Sequence, residues 1–217
     1  MPNYRIYALD LPAHGKSSGL GSQRIVDYAR AVIDFLDSMK LNSAVMVGHS
    51  MGGGIALTLA LEFSKRVLGL GLIGTGARLR VAPQILESTS RAETFPTAVK
   101  LINDLEFGPT VSPRLKELAR QRMSEIRPTV LHGDFLACDE FDVINRLNEI
   151  HVPVLALCGA EDQLTPKKYS EYLHAQIQNS HLFVIPEAGH MVMLEQPEAF
   201  THNLAEFLDT IPYRAGQ

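Results

Sequence analysis

The sequence predicts an α/β protein: a mostly parallel sheet covered by helices on both faces, with a helical segment inserted between two strands. Three observations predict it. Short apolar runs bounded by Gly, Pro and Asp alternate with longer segments at helical spacing, the pattern of a parallel sheet. Residues 76–149 keep helical spacing and show no convincing strand. Gly48-His49-Ser50-Met51-Gly52 falls directly between an apolar strand and a small-residue helix, the context in which G-x-S-x-G carries meaning.

Taken in order, Tyr4–Leu9 (YRIYAL) is rich in aromatic and β-branched residues and stops at Asp10-Leu11-Pro12, a strand followed by a breaker. Ala13–Gly21 is a loop. Ser22 is expected to cap a helix through Met39, whose apolar stripe is Ile25, Ala29, Val32, Ile33, Leu36 and Met39. Ala44–Val47 is a strand, Met51–Phe63 a helix and Val67–Ile73 a strand. After the insertion come a strand at Val154–Cys158, a helix at Pro166–Ala175, a strand at His181–Ile185 and a last helix from Pro197 to Leu208. The expected organisation is a core of residues 1–75 and 150–217, with residues 76–149 as a helical lid.

Composition narrows the function. The 217 residues are 46% hydrophobic and 20% charged, enough for a real core. A net charge of −4 supplies no basic footprint, so nucleic acid is not an expected partner. No apolar run reaches the roughly 18–20 residues of a membrane span, so no membrane partner is expected. The start, MPNYRIYALD, has no basic region followed by an apolar one. Cys138 and Cys158 form no CxxC, which fits a reducing compartment. A cytoplasmic location is the expectation.

The chemistry concentrates in three places. Gly48 and Gly52 are expected to let strand and helix approach closely, while Ser50 projects its hydroxyl at the carboxyl edge of the sheet. The helix N-terminus offers N–H donors there, Met51 N–H among them. His49 reads as a packing or supporting neighbour. A serine hydroxyl needs a base oriented by a third group. Asp162, in Gly159-Ala160-Glu161-Asp162, follows one late strand, and His190, in Gly189-His190-Met191, follows the next. Both sit where parallel sheets place their sites. Glu161 is the rival acid. No metal-ligand spacing occurs among the eight histidines. Two other motifs are set aside. Gly15-Lys16-Ser17 lacks the first glycine of a phosphate loop, and Gly69–Gly74 matches G-x-G-x-x-G but lies within a strand. Cys138 is read as a packing thiol on the insertion.

With these residues in view, the chain resembles the α/β-hydrolase superfamily. It is most similar to lid-bearing esterases, lactonases and cofactor-free haloperoxidase-like members. The matching stretches are DLPAHGKS at 10–17, GHSMGG at 48–53, GAEDQLTP at 159–166 and AGHMVMLEQP at 188–197. The resemblance implies a Ser50–His190–Asp162 triad, Met51 N–H as an oxyanion donor, no cofactor, and a small ester or lactone as substrate. Ser50 argues against dehalogenases and epoxide hydrolases, which use Asp. Carbon–carbon bond hydrolases commonly carry Trp after the histidine, where this chain has Met191 and no Trp anywhere.

On the family's strand order, 1-2-4-3-5-6-7-8, Tyr4–Leu9 corresponds to strand 4 and Ala44–Val47 to strand 5. Strands 1 to 3 are then absent, with the His-Gly loop that supplies the second oxyanion donor. Two expectations follow: a homodimer through exposed strand edges, or a fragment of a longer product. The rival functional reading is a catalytically impaired hydrolase-like or ligand-binding protein.

Overall fold

A computed structural model describes residues 4–212. It runs α1 (Ile25–Ser38), β1 (Ala44–His49), α2 (Met51–Glu62) and β2 (Val67–Ile73). The insertion follows: α3 (Pro83–Thr89), α4 (Phe95–Glu106), α5 (Pro113–Ser124) and α6 (Pro128–Glu140). The chain ends with β3 (Val154–Gly159), α7 (Lys168–Gln176), β4 (Ser180–Ile185), α8 (Val192–Glu195) and α9 (Pro197–Thr210).

The strands form one sheet in the order β1-β2-β3-β4, and every pair is parallel. All carboxyl ends therefore lie along one edge. The apolar alternation divides the core between two faces. Leu70, Leu72, Val154 and Ala156 pack with α1, α2 and α7, while Ile73, Leu155, Leu157 and Ile185 pack with Leu204 and Phe207 of α9. β3 is buried along its whole length, as its unbroken apolar run requires. Gly69 lies close to the chain that covers the sheet, and Gly71 close to its partner on β1. A Cβ at Gly69 would strike Ile211, and one at Gly71 would press on Val47 at 3.1 Å. Close packing, not phosphate binding, accounts for these glycines.

The N-terminal segment corrects two expectations. Tyr4–Leu9 is not a strand: it pairs with none of the described residues, and Ile6 is 69% exposed. A strand needs a ladder partner, and among the described residues the outer edge of β1 is unpaired, with Val47 exposed. The segment is held by side chains instead. Tyr4 donates to Asp209 of α9 at 2.6 Å, and the Tyr7 ring meets Phe35 of α1 edge-on at 5.6 Å. The sheet thus holds the equivalents of strands 5 to 8, without strand 4. The first helix also starts later than expected, after Arg24. Ser22 shapes its entrance from outside: Oγ accepts from Arg24 N at 3.1 Å and donates to Asp27 at 2.9 Å.

The following loop is tied to the insertion. His14 Nε2 lies 2.8 Å from Asp134 of α6, and Tyr28 donates to the same carboxylate at 2.6 Å. Lys16 N and Ser17 Oγ both bond to Asp10, so the Gly-Lys-Ser stretch closes on itself. The insertion has a small core of its own, Ile85, Ala98 and Ile102, joined by Leu164 from the loop after β3. Among the described residues no helix is long and apolar enough to cross a membrane.

Because β3 is the most enclosed strand and β4 an edge strand, equal truncations should differ. Leu157→Ala is expected to cost about 3 kcal/mol. Phe183→Ala, at a side chain 36% exposed, should cost about 1 kcal/mol. Urea unfolding followed by circular dichroism measures both.

Candidate active site

Ser50 sits between β1 and α2 with φ 53° and ψ −118°. Left-handed backbone at a non-glycine residue costs on the order of 1–3 kcal/mol and persists only where its surroundings fix it. Here they do. Ser50 N donates to Ile73 O at 2.9 Å, and Ser50 O accepts from Gly53 N at 2.9 Å and from Thr75 Oγ1 at 2.8 Å. The strand passes so close to the helix that a Cβ at Gly48 would fall inside the backbone of Gly52 and Gly53. Gly52 departs from expectation, since a Cβ there would meet nothing within 4 Å. The close approach requires Gly48, and Gly52 contributes backbone only. Met51 occupies the first helical position, so its N–H has no intrahelical acceptor.

The acid and the histidine meet. Asp162 Oδ2 lies 2.9 Å from His190 Nδ1, and the two residues are 5% and 3% exposed. Thr165 Oγ1 donates to the same oxygen at 2.8 Å, while Leu164 N and Thr165 N donate to Oδ1 at 2.9 and 2.8 Å. Burial pushes the Asp162 carboxyl up. The hydrogen bond and charge of His190, with the Thr165 bonds, outweigh that and hold it below the usual carboxylate range. With Nδ1–H committed to Asp162, His190 keeps Nε2 as its proton acceptor. Glu161 is exposed and has no part in this pair.

His49 links the two halves. Its Nε2 lies 2.9 Å from the His190 carbonyl, and the two rings are 4.4 Å apart. Burial, then the neighbouring His190, lowers its pKa to about 3, so it stays neutral and donates. Gly74, at φ 49°, fits between them: a Cβ there would stand 3.4 Å from Asp162, His190 and His49 alike. Ser50 Oγ makes no hydrogen bond among the described residues; such bonds in unliganded sites commonly tighten when substrate arrives. Cys138 is buried on α6, and burial raises its thiol to about 12, in keeping with a packing role. Among the described residues no three His, Cys, Asp or Glu side chains converge on a metal position.

Several supporting residues were not singled out in the sequence. Thr165 stands three residues after Asp162, a spacing at which a hydroxyl and an N–H can turn back onto a carboxylate. Glu195 bridges two backbones: its carboxylate accepts from Gly108 N at 2.7 Å and Gly189 N at 2.9 Å. Glu106 O accepts from His190 N at 2.8 Å and Met191 N at 3.1 Å. The signal for Glu106 was its place on the buried stripe of α4, after Phe95, Val99, Ile102 and Asn103, where a carboxylate breaks the pattern.

Comparison with known proteins fits this geometry. Residues 2–197 match the family described as alpha/beta hydrolase fold, and the chain belongs to it. It is 30% identical to a pimeloyl-[acyl-carrier protein] methyl ester esterase of Pectobacterium carotovorum, over 95% of this chain and 84% of that protein. It is 28% identical to a 2-hydroxy-6-oxo-6-phenylhexa-2,4-dienoate hydrolase of Burkholderia cepacia, over 94% and 77%. Among solved structures, a thermophilic esterase superposes with a TM-score of 0.84 at 40% identity, covering 92% of this chain and 79% of its own.

The depressed Asp162 pKa makes its contribution to stability pH-dependent. The contribution is fully present above the unfolded carboxyl pKa of about 3.9 and is lost as pH falls through the lower folded value. Asp162→Asn should therefore lower stability by about 1.5–3 kcal/mol near neutral pH. The gap from wild type should close below about pH 4. Urea unfolding across pH 3–7 checks it.

Proposed function

We propose that this chain hydrolyses carboxylic esters or lactones through an acyl-enzyme on Ser50. The observation that carries the reading is the buried Asp162–His190 pair, braced by Thr165, beside the strained Ser50 turn. The esterase names of its relatives support the substrate class.

In this mechanism His190 Nε2 takes the Ser50 proton as Oγ attacks the ester carbonyl. Asp162 holds the ring and stabilises the imidazolium. Met51 N–H, at the α2 N-terminus, donates to the oxyanion, a position where one donor is worth about 10²–10³ in rate. His190 then protonates the leaving alcohol. Water, deprotonated by the same nitrogen, releases the acid. The apolar residues that the sequence places in the 76–149 segment, read as a lid, suit a small or medium apolar acyl group. The substrate is a small molecule, the steps need no cofactor, and two buried free cysteines accord with a cytoplasmic setting.

Hydrolysis of p-nitrophenyl acetate and butyrate tests this. Ser50→Ala and His190→Ala are each expected to lower kcat by at least about 10³-fold, with Asp162→Asn a smaller loss. Turnover that survives Ser50→Ala would assign the activity elsewhere.

A further inference from the structure

Glu195 carries a carboxylate that the mechanism above does not use. It ends α8, shortly after His190, and both of its oxygens are engaged. Oε2 accepts from Gly108 N at 2.7 Å and Oε1 from Gly189 N at 2.9 Å. One donor follows α4 in the insertion, and the other immediately precedes His190. The two backbones meet as closely as bare glycine allows. A Cβ at Gly108 would stand 3.1 Å from Gly189 N, and one at Gly189 would fall on the backbone of Gly108 and Phe107. Phe107 is itself buried, which anchors this end of the insertion. Hydrogen bonds to a carboxylate are roughly twice as strong as neutral ones, so the meeting point is held by a charge shared between two amides.

His190 depends on this meeting point. Its Nδ1 is taken by Asp162 and its carbonyl by His49. Its N–H, with that of Met191, donates to Glu106 O at the end of α4. We propose that Glu195 is a positioning residue for the reaction: its carboxylate ties residues 106–108 to Gly189 and so fixes the backbone from which His190 presents Nε2. The inference rests on the ester-hydrolase reading for its kinetic consequence, but not for its structural one.

Glu195→Gln keeps the size of the side chain but replaces one acceptor oxygen by an NH2 group, so only one of the two N–H donors keeps its partner. At a temperature where both proteins are fully folded, kcat on p-nitrophenyl acetate is expected to fall about tenfold in this variant, with KM within about twofold of wild type. A merely structural role would lower the unfolding midpoint and leave kcat in place. An unchanged kcat, or a loss confined to KM, would overturn the proposal. A second measurement needs neither a variant nor turnover. In the wild-type chain, native-state hydrogen exchange should show the amides of Gly108, Gly189, His190 and Met191 opening as one unit, with a common dependence on denaturant. His190 and Met191 amides that open independently of Gly108 and Gly189 would likewise overturn it. Absence of Ser50-dependent turnover counts against the ester-hydrolase reading alone.

Discussion

The close passage of β1 over the start of α2 is the constraint on which the rest depends. Gly48 lets the strand backbone lie against Gly52 and Gly53 with no room for a side chain. The chain must then reverse within one residue, and Ser50 takes the left-handed conformation that the reversal demands. Bonds to Ile73 O, Gly53 N and Thr75 Oγ1 fix it there. Strain held in this way keeps Ser50 at the N-terminus of α2. The parallel sheet does the rest: with every strand running the same way, the loops after β1, β3 and β4 share one edge, and Asp162 and His190 arrive there without long connections.

The insertion is bound into this edge rather than resting on it. Leu164, next to the Asp162 turn, packs into the small core of Ile85, Ala98 and Ile102. At the other loop, Glu106 O and the Glu195 carboxylate lace α4 and Gly108 to Gly189, His190 and Met191. The loops that carry Asp162 and His190 are thus both fastened to the same helical segment. Movement of that segment would therefore move Asp162 and His190 together.

What the sequence made legible follows from how local each signal is. β1 to β4 could be read to within about two residues, because strands of a parallel sheet are short apolar runs closed by polar, Gly or Pro residues. Ser50, Asp162 and His190 could be read because each follows such a run. Tyr4–Leu9 could not be read correctly: its composition is that of a strand, but a strand is a pairing, and pairing is not written in one segment. Gly52 misled for a similar reason, since only the course of the neighbouring backbone shows that Gly48 alone is sterically required. The roles of Glu106 and Glu195 depend on contacts 84 and 6 residues away, which spacing does not reveal. A carboxylate on the buried face of α4 was visible as an anomaly, but not what it faces.

The central claim is that the strained turn, the buried pair and the helix N-terminus together activate Ser50. Intact-mass analysis after exposure to a fluorophosphonate tests it without the right substrate. The account predicts one adduct per chain, lost in Ser50→Ala. A folded, unlabelled wild-type chain would contradict it and favour a ligand-binding protein built on a hydrolase scaffold.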